Sequence, residues 1–503
     1  MRIPSVAIIG AGPVGLSASN ALTKAGFKVT LFEAGNVDSE CSHLSKDNYI
    51  FLTDSAIPTG VHRVGGGSNY WHRRIGEFLP LDFKNFIDEC DSEFPITIDE
   101  LKHFYVQAFQ ELGEDVRSDD EILITNYNHL ARSLPENLDF RLIRYSRPEY
   151  FVNLVSKLKL QKNFELITST KCIEIQSLPS KGHLSFGYNL KLERDGELFD
   201  FGAEIVLVAC GAMNSPILIA NSPSINTALD ANVIGTGLME HFDGTVGTLR
   251  WNRGVHSDLV PKLVLNSQRK LPGRNEGLGL KTSESLRESS KDINLHIEIL
   301  KPPLSRKVVR GEGLKKILWL VFIWLEKLIK SPSRIFIKLL GDFSGSRTYS
   351  VWVKAEELPN IASSISASSD EFGFHKTMYD HKVSFESRKQ FLKALIKLQT
   401  ELSMNSIADF VIDAEVMNGE SSIFRAINWH PMGTLRMGKS PSNSICDPDL
   451  KIFGTEGVYV IDASVFPRGS NGNPTFTAIA LTLRLAEKLK SDFITAGNDK
   501  ETP

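Results

Sequence analysis

Two polar residues near the carboxyl end of the chain have the types needed for acid–base chemistry on a hydroxyl group. His430 opens the stretch "HPMGTLRMG", and Asn473 stands just before Pro474 in "GSNGNPTF". A neutral histidine can remove a hydroxyl proton near neutral pH, while an asparagine amide can donate to or accept from the same oxygen. Each residue also has a purely structural interpretation, since an isolated histidine is commonly structural and an asparagine before a proline suits a helix cap. Their role therefore depends on what the rest of the chain binds.

The first elements that could position such chemistry lie at the amino terminus. The segment "VAIIGAGPVGLSASNALTKAGFKVTLFEAG" predicts a buried strand, glycines at GxGxxG spacing, a helix, and a second strand that ends at an acid. In such a unit the glycines permit a tight turn, close approach of a pyrophosphate and close helix packing, while the acid accepts from a ribose. The pattern predicts a dinucleotide site, without distinguishing NAD from FAD. The residues predicted to form it are Gly10, Gly12, Pro13, Val14, Gly15, Glu33 and Ala34.

Two further segments are predicted to extend this site. "VGGGSNYWHRR", residues 64–74, is too rich in glycine for a helix or strand interior, and its aromatic residues favour cofactor contact over a surface loop. "EIVLVACGAMNSPILIANS" repeats the strand, small-residue turn and helix, and predicts another strand of the same parallel sheet. Between them, "FELITSTKCIEIQSL" and "LSFGYNLKLERDGELFDF" predict a small antiparallel element. The predicted contacts are Gly66, Gly67, Ser68, Asn69, Tyr70, Trp71, Cys172, Cys210 and Gly211.

Composition limits the class of protein. With 503 residues the chain is longer than one hydrophobic core usually supports, so two domains are expected. The formal net charge of −3 gives no sign of a nucleic-acid partner. Because the amino terminus enters a strand directly and no apolar run reaches the roughly 18 to 20 residues of a spanning helix, we expect a cytoplasmic protein. Five scattered cysteines without metal-ligand spacing predict reduced thiols and no metal site: Cys41, Cys90, Cys172, Cys210 and Cys446.

Segments spread from residue 5 to residue 490 resemble one family of enzymes. They are the glycine motif, "VGGGSNYW", "VLVACGAMNSP", "VIGTGLMEHFDG", "HPMGTLRMG" and "GVYVIDASVFPRGSNGNPTFTAIALTLRLAEKLK". Together they resemble the glucose–methanol–choline (GMC) oxidoreductases, which are FAD flavoenzymes, and most closely the branch of bacterial sugar and glycoside dehydrogenases and pyranose oxidases. The resemblance implies extended FAD, with its adenosine near the glycine turn and its flavin against the carboxyl-terminal segment. That segment contributes Asp462, Ala463, Asn473, Pro474 and Thr475.

The resemblance also implies the chemistry. His430 and Asn473 match the family's catalytic pair, so His430 is expected to act as the general base and Asn473 to orient the hydroxyl while a hydride passes to the flavin. Tyr70 stands where some members carry a histidine linked to the flavin, which implies noncovalent FAD, with His72 as an alternative attachment point. His241 is interpreted as a structural or FAD-domain residue.

The expected substrate is a sugar, glycoside or related polyol, oxidised to a carbonyl. The alternatives are a lipophilic or natural-product alcohol, or a flavoprotein subunit that has lost turnover. Oxygen, a quinone and a redox protein all stay open as electron acceptors.

The predicted fold is α/β, with a Rossmann-like FAD-binding domain and a second α+β substrate domain on an antiparallel sheet. The FAD domain is assigned residues 1–95, 160–245 and 425–503, and the substrate domain residues 96–159 and 246–424. In the latter, "INLHIEIL" and "RTYSVWVKAEEL" predict strands of the sheet. A basic, apolar helical insertion is predicted at about 306–340, and its part 314–340 is interpreted as a core or oligomer-interface helix, a lid, or a contact with an anionic membrane.

Overall fold

The computed structural model describes most of the chain. The residues described are 3–37, 49–51, 62–85, 87, 92–113, 115–147, 150–178, 187–252, 263–265, 276–300, 348–369, 375–425 and 430–493. The basic insertion predicted at 306–340 lies outside them, as do Cys41 and Cys90.

The described elements include both helices and runs of consecutive strands along the chain. The strands are Ser5–Ile9 (β1), Lys28–Phe32 (β2), Tyr49–Phe51 (β3), Arg74–Ile75 (β4), Leu138–Tyr145 (β5), Phe164–Ile167 (β6), Lys171–Leu178 (β7), Gly187–Arg194 (β8), Glu197–Ala203 (β9), Ile205–Val208 (β10), His241–Trp251 (β11), Val264–Leu265 (β12), Glu276–Thr282 (β13), Leu295–Leu300 (β14), Thr348–Glu356 (β15), Ser364–Ser369 (β16), His375–Asp380 (β17), Ala408–Ile412 (β18) and Val458–Val460 (β19). The α-helices are Pro13–Lys24 (α1), Ile98–Glu111 (α2), Asp119–Ala131 (α3), Tyr150–Leu158 (α4), Gly211–Ala220 (α5), Pro223–Asn226 (α6), Glu284–Ser290 (α7), Phe385–Met404 (α8), Ala414–Met417 (α9) and Pro474–Phe493 (α10).

A five-stranded parallel sheet forms the nucleotide-binding half, in the order β19-β10-β1-β2-β6. All five strands are short, and β19, β10, β1 and β2 are almost wholly buried, which is the pattern expected when both faces of a parallel sheet are covered. The edge strand β6 is partly exposed. Helix α1 follows β1 directly and packs on α10, and Pro13 occupies its first turn, where the missing N–H costs no intrahelical bond. This is the Rossmann-like arrangement that the amino-terminal sequence predicts.

The second half is built on an eight-stranded, mainly antiparallel sheet. Its order is β18-β11-β15-β14-β13-β5-β4, with β12 added in parallel beside β14. Strands β14 and β15 are the predicted segments "INLHIEIL" and "RTYSVWVKAEEL", and they pair antiparallel over six residues. Helix α8 packs Phe391, Leu395 and Leu398 into the hydrophobic core of this half. The predicted fold class is therefore confirmed.

Two smaller sheets complete the described fold. Strands β7, β8 and β9 form an antiparallel sheet, as the alternating pattern predicts. The first residues of the predicted antiparallel element, 164–167, instead form β6 at the edge of the parallel sheet. Strands β16, β17 and β3 form another, in which β3 runs parallel to β17.

The structure shows how the segments near two of the predicted domain boundaries pack. Within residues 96–159, which are predicted to belong to the substrate domain, α3 and β5 join the core of the antiparallel half. In the same segment, α2 packs on α10 and α4 on α1, and their apolar residues join the core of the parallel sheet. Amphipathic helices such as these show which face is apolar and not which core that face joins. At the other boundary, His241 begins β11 of the large antiparallel sheet instead of ending the FAD domain.

Among the described residues, no helix is both long enough and apolar enough to cross a membrane.

Candidate active site

A cavity of about 1340 Å³ lies where the carboxyl ends of the parallel strands face the antiparallel sheet. In sheets of this type ligands bind at that edge, because loops and helix N-termini converge there. The cavity extends from the glycine turn after β1 to the side chains of His430 and Asn473. It therefore connects the predicted nucleotide site with the predicted catalytic pair.

The glycine turn has the geometry that a dinucleotide requires. Gly10 has a positive φ of 103°, and a Cβ on it would lie 2.5 Å from the carbonyl oxygen of Ala209. A Cβ on Gly15 would lie 2.0 Å from the carbonyl oxygen of Gly10, so α1 can approach β1 only with glycine there. A Cβ on Gly12 would instead meet nothing within 4 Å, and Gly12 lines the cavity. Gly10 and Gly15 thus permit the packing, while Gly12 leaves room for a ligand.

Glu33 ends β2 at the wall of the cavity and is held there by the backbone. Its Oε2 accepts from the N–H of Ala11 and its Oε1 from the N–H of Gly35, each at 2.9 Å. Burial raises the pKa of Glu33 from its ordinary value, against the opposing effect of these hydrogen bonds. A carboxylate oxygen has two acceptor positions, so each oxygen can still accept from a ribose hydroxyl.

Most of the other predicted cofactor contacts line the same cavity. They are Pro13, Val14, Ala34, Gly66, Gly67, Ser68, Tyr70, Trp71, Cys172, Cys210, Gly211, Asp462, Ala463, Pro474 and Thr475. Gly67 and Gly211, like Gly12, would place a Cβ in open space. The cavity is therefore lined by exposed backbone over much of its length, which suits a long, flat ligand such as FAD.

Two predicted contacts do not line the cavity. Gly15 serves helix packing, as described above. Asn69 points back into its own turn, where its Nδ2 donates to the carbonyl oxygens of Val64 at 3.1 Å and Gly66 at 2.9 Å. Asn69 therefore stabilises the turn of the second glycine cluster, residues 64–69, and the residue type alone does not reveal this role.

Asp462 and the nearby thiols support the cavity wall at the end of β19. Oδ2 of Asp462 accepts from the N–H of Gly211 at 2.8 Å and from the hydroxyl of Ser215 at 2.5 Å. Burial raises the pKa of Cys172 to about 12 and that of Cys210 well above its ordinary value, so both thiols are neutral at physiological pH. Cys172, Cys210 and Cys446, the cysteines that the structure describes, are all free.

His430 and Asn473 lie side by side at the end of the cavity nearest the antiparallel sheet. Nε2 of His430 is 3.2 Å from Nδ2 of Asn473. The loop that carries His430 is fixed by two backbone hydrogen bonds between Met432 and Met239, at 3.0 and 3.1 Å. Asn473 directly precedes α10. Residues 43 positions apart therefore meet at one point, within reach of a single bound hydroxyl oxygen.

The side chain of Asn473 is not used as a helix cap. Among the hydrogen bonds of the described residues, its Oδ1 accepts from the ammonium of Lys354 and its Nδ2 faces His430. Both polar atoms of the amide are therefore directed toward side chains of the cavity, the oxygen toward Lys354 and the nitrogen toward His430.

His241 lies directly behind His430. Its Nδ1 is 3.2 Å from Nδ1 of His430, and the two ring centroids are 4.8 Å apart. The backbone N–H of His430 donates to Oε2 of Glu240 at 2.8 Å. His241 was interpreted as structural or as part of the FAD domain, whereas the structure places its ring in contact with the predicted base.

The electrostatic environment keeps His430 neutral. Its pKa is well below the ordinary histidine value, first because of burial and then because of the positive charges of Lys354 and Arg74 and the neighbouring His72. An unprotonated ring nitrogen is what a base needs before it can accept a proton.

Several polar residues of the cavity wall were not singled out from the sequence. Lys354 and Trp352 stand two residues apart on β15 and both line the cavity, together with Arg74 and Asp243. The indole Nε1 of Trp352 donates to Asp243, and Arg74 forms an ion pair with Glu298 on β14. The available signal was Lys354 itself, a charged residue inside the otherwise apolar strand "SVWVKA". Only strand pairing shows that this residue faces His430.

Comparisons with known proteins agree with this arrangement. Residues 367–482 match the family model described as GMC oxidoreductase, and residues 8–73 match a model for an NAD(P)-binding Rossmann-like domain. The chain is 35% identical over 92 residues to dehydrogenase str4 of Strobilurus tenacellus, 37% over 68 residues to C-glycoside 3-oxidase of Arthrobacter globiformis, and 39% over 64 residues to choline oxidase of Arthrobacter globiformis. These matches cover 18%, 13% and 12% of this chain and only 14%, 13% and 12% of the relatives.

Solved structures extend the likeness to the whole fold. Pyridoxine 4-oxidase from Mesorbium loti superposes with a TM-score of 0.56 at 15% identity, covering 96% of this chain and 99% of its own. A fungal aryl-alcohol oxidase gives 0.55 at 14% identity, covering 98% and 100%. Identities this low show a shared fold only. The two family models show a GMC oxidoreductase region at residues 367–482 and a Rossmann-like dinucleotide-binding region at residues 8–73. In these two regions and in its overall fold the chain is similar to the glucose–methanol–choline oxidoreductases, which are FAD flavoenzymes.

Proposed function

We propose that this protein oxidises a hydroxyl group of a sugar, glycoside or related polyol to a carbonyl, with His430 as the general base and Asn473 as the residue that orients the hydroxyl. The observation that carries the proposal is the 3.2 Å contact of Nε2 of His430 with Nδ2 of Asn473 in a cavity that also contains the dinucleotide-binding turn. Bound FAD supplies the acceptor for the hydride that leaves the carbinol carbon.

The side chains of His430 and Asn473 have different roles toward the substrate hydroxyl. A hydroxyl oxygen that enters between them accepts a hydrogen bond from the Asn473 amide and donates its own to Nε2 of His430. His430 then takes the proton as the carbon loses its hydrogen, and the amide holds the oxygen in position throughout. The low pKa of His430 supports this assignment, because it leaves the ring unprotonated before the reaction.

The residues proposed to hold FAD are those of the glycine turn, Glu33, the second glycine cluster and the start of α10. Tyr70 lines the cavity at the position where some members of the family carry the histidine that is linked to the flavin, and this difference supports noncovalent binding. His72 also lines it, so the point is tested by acid precipitation: noncovalent FAD goes into the supernatant, whereas FAD linked to His72 stays in the pellet.

The polar wall beside the catalytic pair favours a polyol over a lipophilic alcohol. Arg74, Asp243, Trp352 and Lys354 present charged groups and an indole N–H on the same side of the cavity as His430. Groups of this kind form hydrogen bonds with the hydroxyl groups of a polyol, which an alkyl chain cannot do. The similarity to C-glycoside 3-oxidase supports the same class of substrate. The proposed electron acceptor is oxygen, a quinone or a redox protein.

An anaerobic test separates the three candidate functions. The purified yellow protein is mixed without oxygen with a panel of sugars and glycosides and with a panel of long-chain and terpenoid alcohols, and loss of flavin absorbance is followed. The proposal expects bleaching by members of the first panel. Bleaching by the second panel alone would establish the lipophilic alternative, and no bleaching by either would favour a subunit without turnover.

A further inference from the structure

Lys354 holds the amide of Asn473 from the side opposite His430. It lies in the middle of the antiparallel sheet, where β15 pairs it with Asp243 on β11 and His296 on β14, and its side chain is buried. Its ammonium donates to Oδ1 of Asn473. The contact joins the antiparallel sheet to the residue that precedes α10.

This contact determines which way the amide points. An ammonium can only donate, so the atom of Asn473 that faces Lys354 must be the oxygen. The amide NH2 therefore faces Nε2 of His430, at 3.2 Å. The reverse orientation would set the NH2 against the ammonium, donor against donor, and would present the oxygen to His430.

The amide in turn determines the protonation of the His430 ring. Because the NH2 of Asn473 donates, Nε2 of His430 must be the unprotonated nitrogen, and the ring proton of neutral His430 lies on Nδ1. Nδ1 is 3.2 Å from Nδ1 of His241, which must then accept. The proton of neutral His241 accordingly lies on its Nε2. Each step follows from the preceding donor or acceptor.

We propose that Lys354 and His241 are positioning residues that together hold His430 in the tautomer with an unprotonated Nε2 facing the hydroxyl site. Lys354 acts through the orientation of Asn473, and His241 acts by accepting the proton on Nδ1. The role of this tautomer in turnover rests on the proposed function, whereas the tautomer itself can be measured without any substrate.

The opposite tautomer would stop the proposed reaction. With the proton on Nε2, His430 would present a donor to the substrate hydroxyl and could not take its proton. Without Lys354, a half-turn of the Asn473 amide would stabilise that tautomer, because its oxygen would accept from Nε2–H. Lys354 thus excludes the unproductive arrangement by charge and hydrogen-bonding geometry.

Charge acts in the same direction. The titratable groups that face His430 are Lys354 from β15, Arg74 from β4, His72 from the segment before it, His241 from β11, and Glu240, which accepts the backbone N–H of His430. Burial lowers the pKa of His430 most, and the Lys354 cation follows. Removing this cation removes a cause of the lowering, so the pKa of His430 must rise.

The first measurement reads the tautomer directly in the holoenzyme. Protein labelled with 15N in its histidine rings gives separate signals for protonated and unprotonated ring nitrogens, and the His430 signals are assigned as those missing from His430→Gln. The expected result is a protonated Nδ1 and an unprotonated Nε2 in resting enzyme at pH 7.5. A protonated Nε2 would overturn the proposal, whatever the substrate proves to be.

The second measurement separates the hydrogen bond from the charge. Lys354→Met removes both, Lys354→Gln keeps a donor without charge, and Lys354→Arg keeps both. The His430 titration should move upward by about one pH unit or more in the Met and Gln variants. At a pH well above the pKa of His430, the rate of anaerobic flavin reduction should be about tenfold or more lower in Lys354→Met than in the parental enzyme. Lys354→Gln should restore most of this rate, because glutamine can still donate to Oδ1 of Asn473 and orient the amide.

Matched controls make the result specific. Lys439→Met removes an exposed lysine paired with Glu93, and it should leave the His430 titration unchanged. His241→Phe should raise the fraction of His430 protonated on Nε2, while His241→Asn, whose side-chain oxygen can accept from Nδ1–H, should restore the resting tautomer. Parental titration and parental reduction rate in folded Lys354→Met would overturn the role of Lys354. Failure of all sugars and alcohols to reduce a parental enzyme with the expected tautomer would count against the proposed function alone.

Discussion

Replacement of His430 by alanine tests the proposed base most directly. The change should slow anaerobic flavin reduction by about two to four orders of magnitude, the usual contribution of a positioned general base. At 1.36 kcal/mol for each factor of ten, this corresponds to about 3 to 5 kcal/mol in the reaction barrier. Asn473 would still orient the hydroxyl, but no group at the position of Nε2 would take its proton.

The structure indicates that the loss should be incomplete. The nearest remaining base is His241, whose Nδ1 lies 3.2 Å behind Nδ1 of His430 and thus one imidazole ring further from the substrate. Its pKa is also well below the ordinary value, first because of burial and then because of Lys354, so it is neutral and able to accept a proton. A water molecule in the space left by the ring would let His241 act at a distance. We therefore expect the loss to lie in the lower part of the range.

The same variant should fold and bind FAD normally. His430 borders the cavity, so its removal enlarges an existing space instead of creating a closed void in the core, and a change of about 1 kcal/mol or less in the free energy of unfolding is expected. The glycine turn and Glu33 lie at the other end of the cavity. Thermal melting and the ratio of FAD to protein check both points before any rate is interpreted.

Single-turnover flavin reduction is the appropriate assay, because steady-state rates depend on an acceptor whose identity is still a proposal. Free imidazole offers a further check, since it can enter the space left by the ring and should restore part of the rate in His430→Ala as its concentration rises. Reduction at the parental rate with the true substrate would show that His430 is structural and would refute the mechanism.

Three other predictions follow from contacts in and near the site. Glu33→Ala leaves two backbone N–H groups, one buried and one partly buried, without this acceptor, and it removes the proposed ribose contact. The affinity for FAD should therefore fall by about tenfold or more, measured by titrating FAD into apoprotein; unchanged affinity would remove Glu33 from the site. Asn473→Ala should slow flavin reduction less than His430→Ala, because His430 can still take the proton. It should also lower the free energy of unfolding by about 1 to 3 kcal/mol, because the buried ammonium of Lys354 loses an acceptor; an unchanged melting temperature would contradict this reasoning. Burial lowers the pKa of His381, but the Glu357 carboxylate outweighs burial and raises the pKa of the folded state to about 8. Protonated His381 therefore stabilises the fold by at most about 2 kcal/mol. This contribution is fully present below pH 6.5 and disappears as the pH rises through 8. Urea unfolding at pH 6 and pH 9 should show this loss in the parental protein and a smaller loss in His381→Gln.

The parts of the fold that depend on local sequence were predictable. The strand, glycine turn and helix at residues 5–24 carry their own signals, because each glycine has a local steric reason and Pro13 has a preferred place in the first helical turn. The strands β14 and β15 were also predicted, since alternation of side chains is a local property.

The parts that depend on contacts between distant segments were not predictable in the same way. The alternation of β15 places Lys354 on the face opposite Val353, and only the pairing of β15 with β11 and β14 brings it to Asn473 and His430. The contact of His241 with His430 was not predicted for the same reason, because the two residues are 189 positions apart in the sequence. The pairing of His430 with Asn473 came from the family resemblance and not from the spacing of the two residues.

The geometry of the proposed site depends on how the two halves of the molecule are joined. His430 and Asn473 belong to the segments that pack on the parallel sheet, whereas Lys354 belongs to the antiparallel sheet. Two residues after Lys354, Glu356 forms a fully buried ion pair with Arg468, which lies five residues before Asn473, with an Nε to Oε1 distance of 2.5 Å. A buried pair of this kind contributes little net stability compared with apolar packing, but losing one partner costs about 3 to 5 kcal/mol.

The Glu356–Arg468 ion pair therefore serves mainly to fix the position of β15 relative to the segment before α10. The Glu356–Arg468 pair fixes β15 against the segment before α10 at a distance of a few residues from the Lys354–Asn473 contact. The Glu356–Arg468 and Lys354–Asn473 contacts both join β15 to the segment before α10. A shift of β15 by one residue would break both contacts and would separate the buried charges of Glu356 and Arg468. The position of Nε2 of His430 relative to the amide of Asn473 is thus determined by the junction between the halves, and neither half alone contains a complete site.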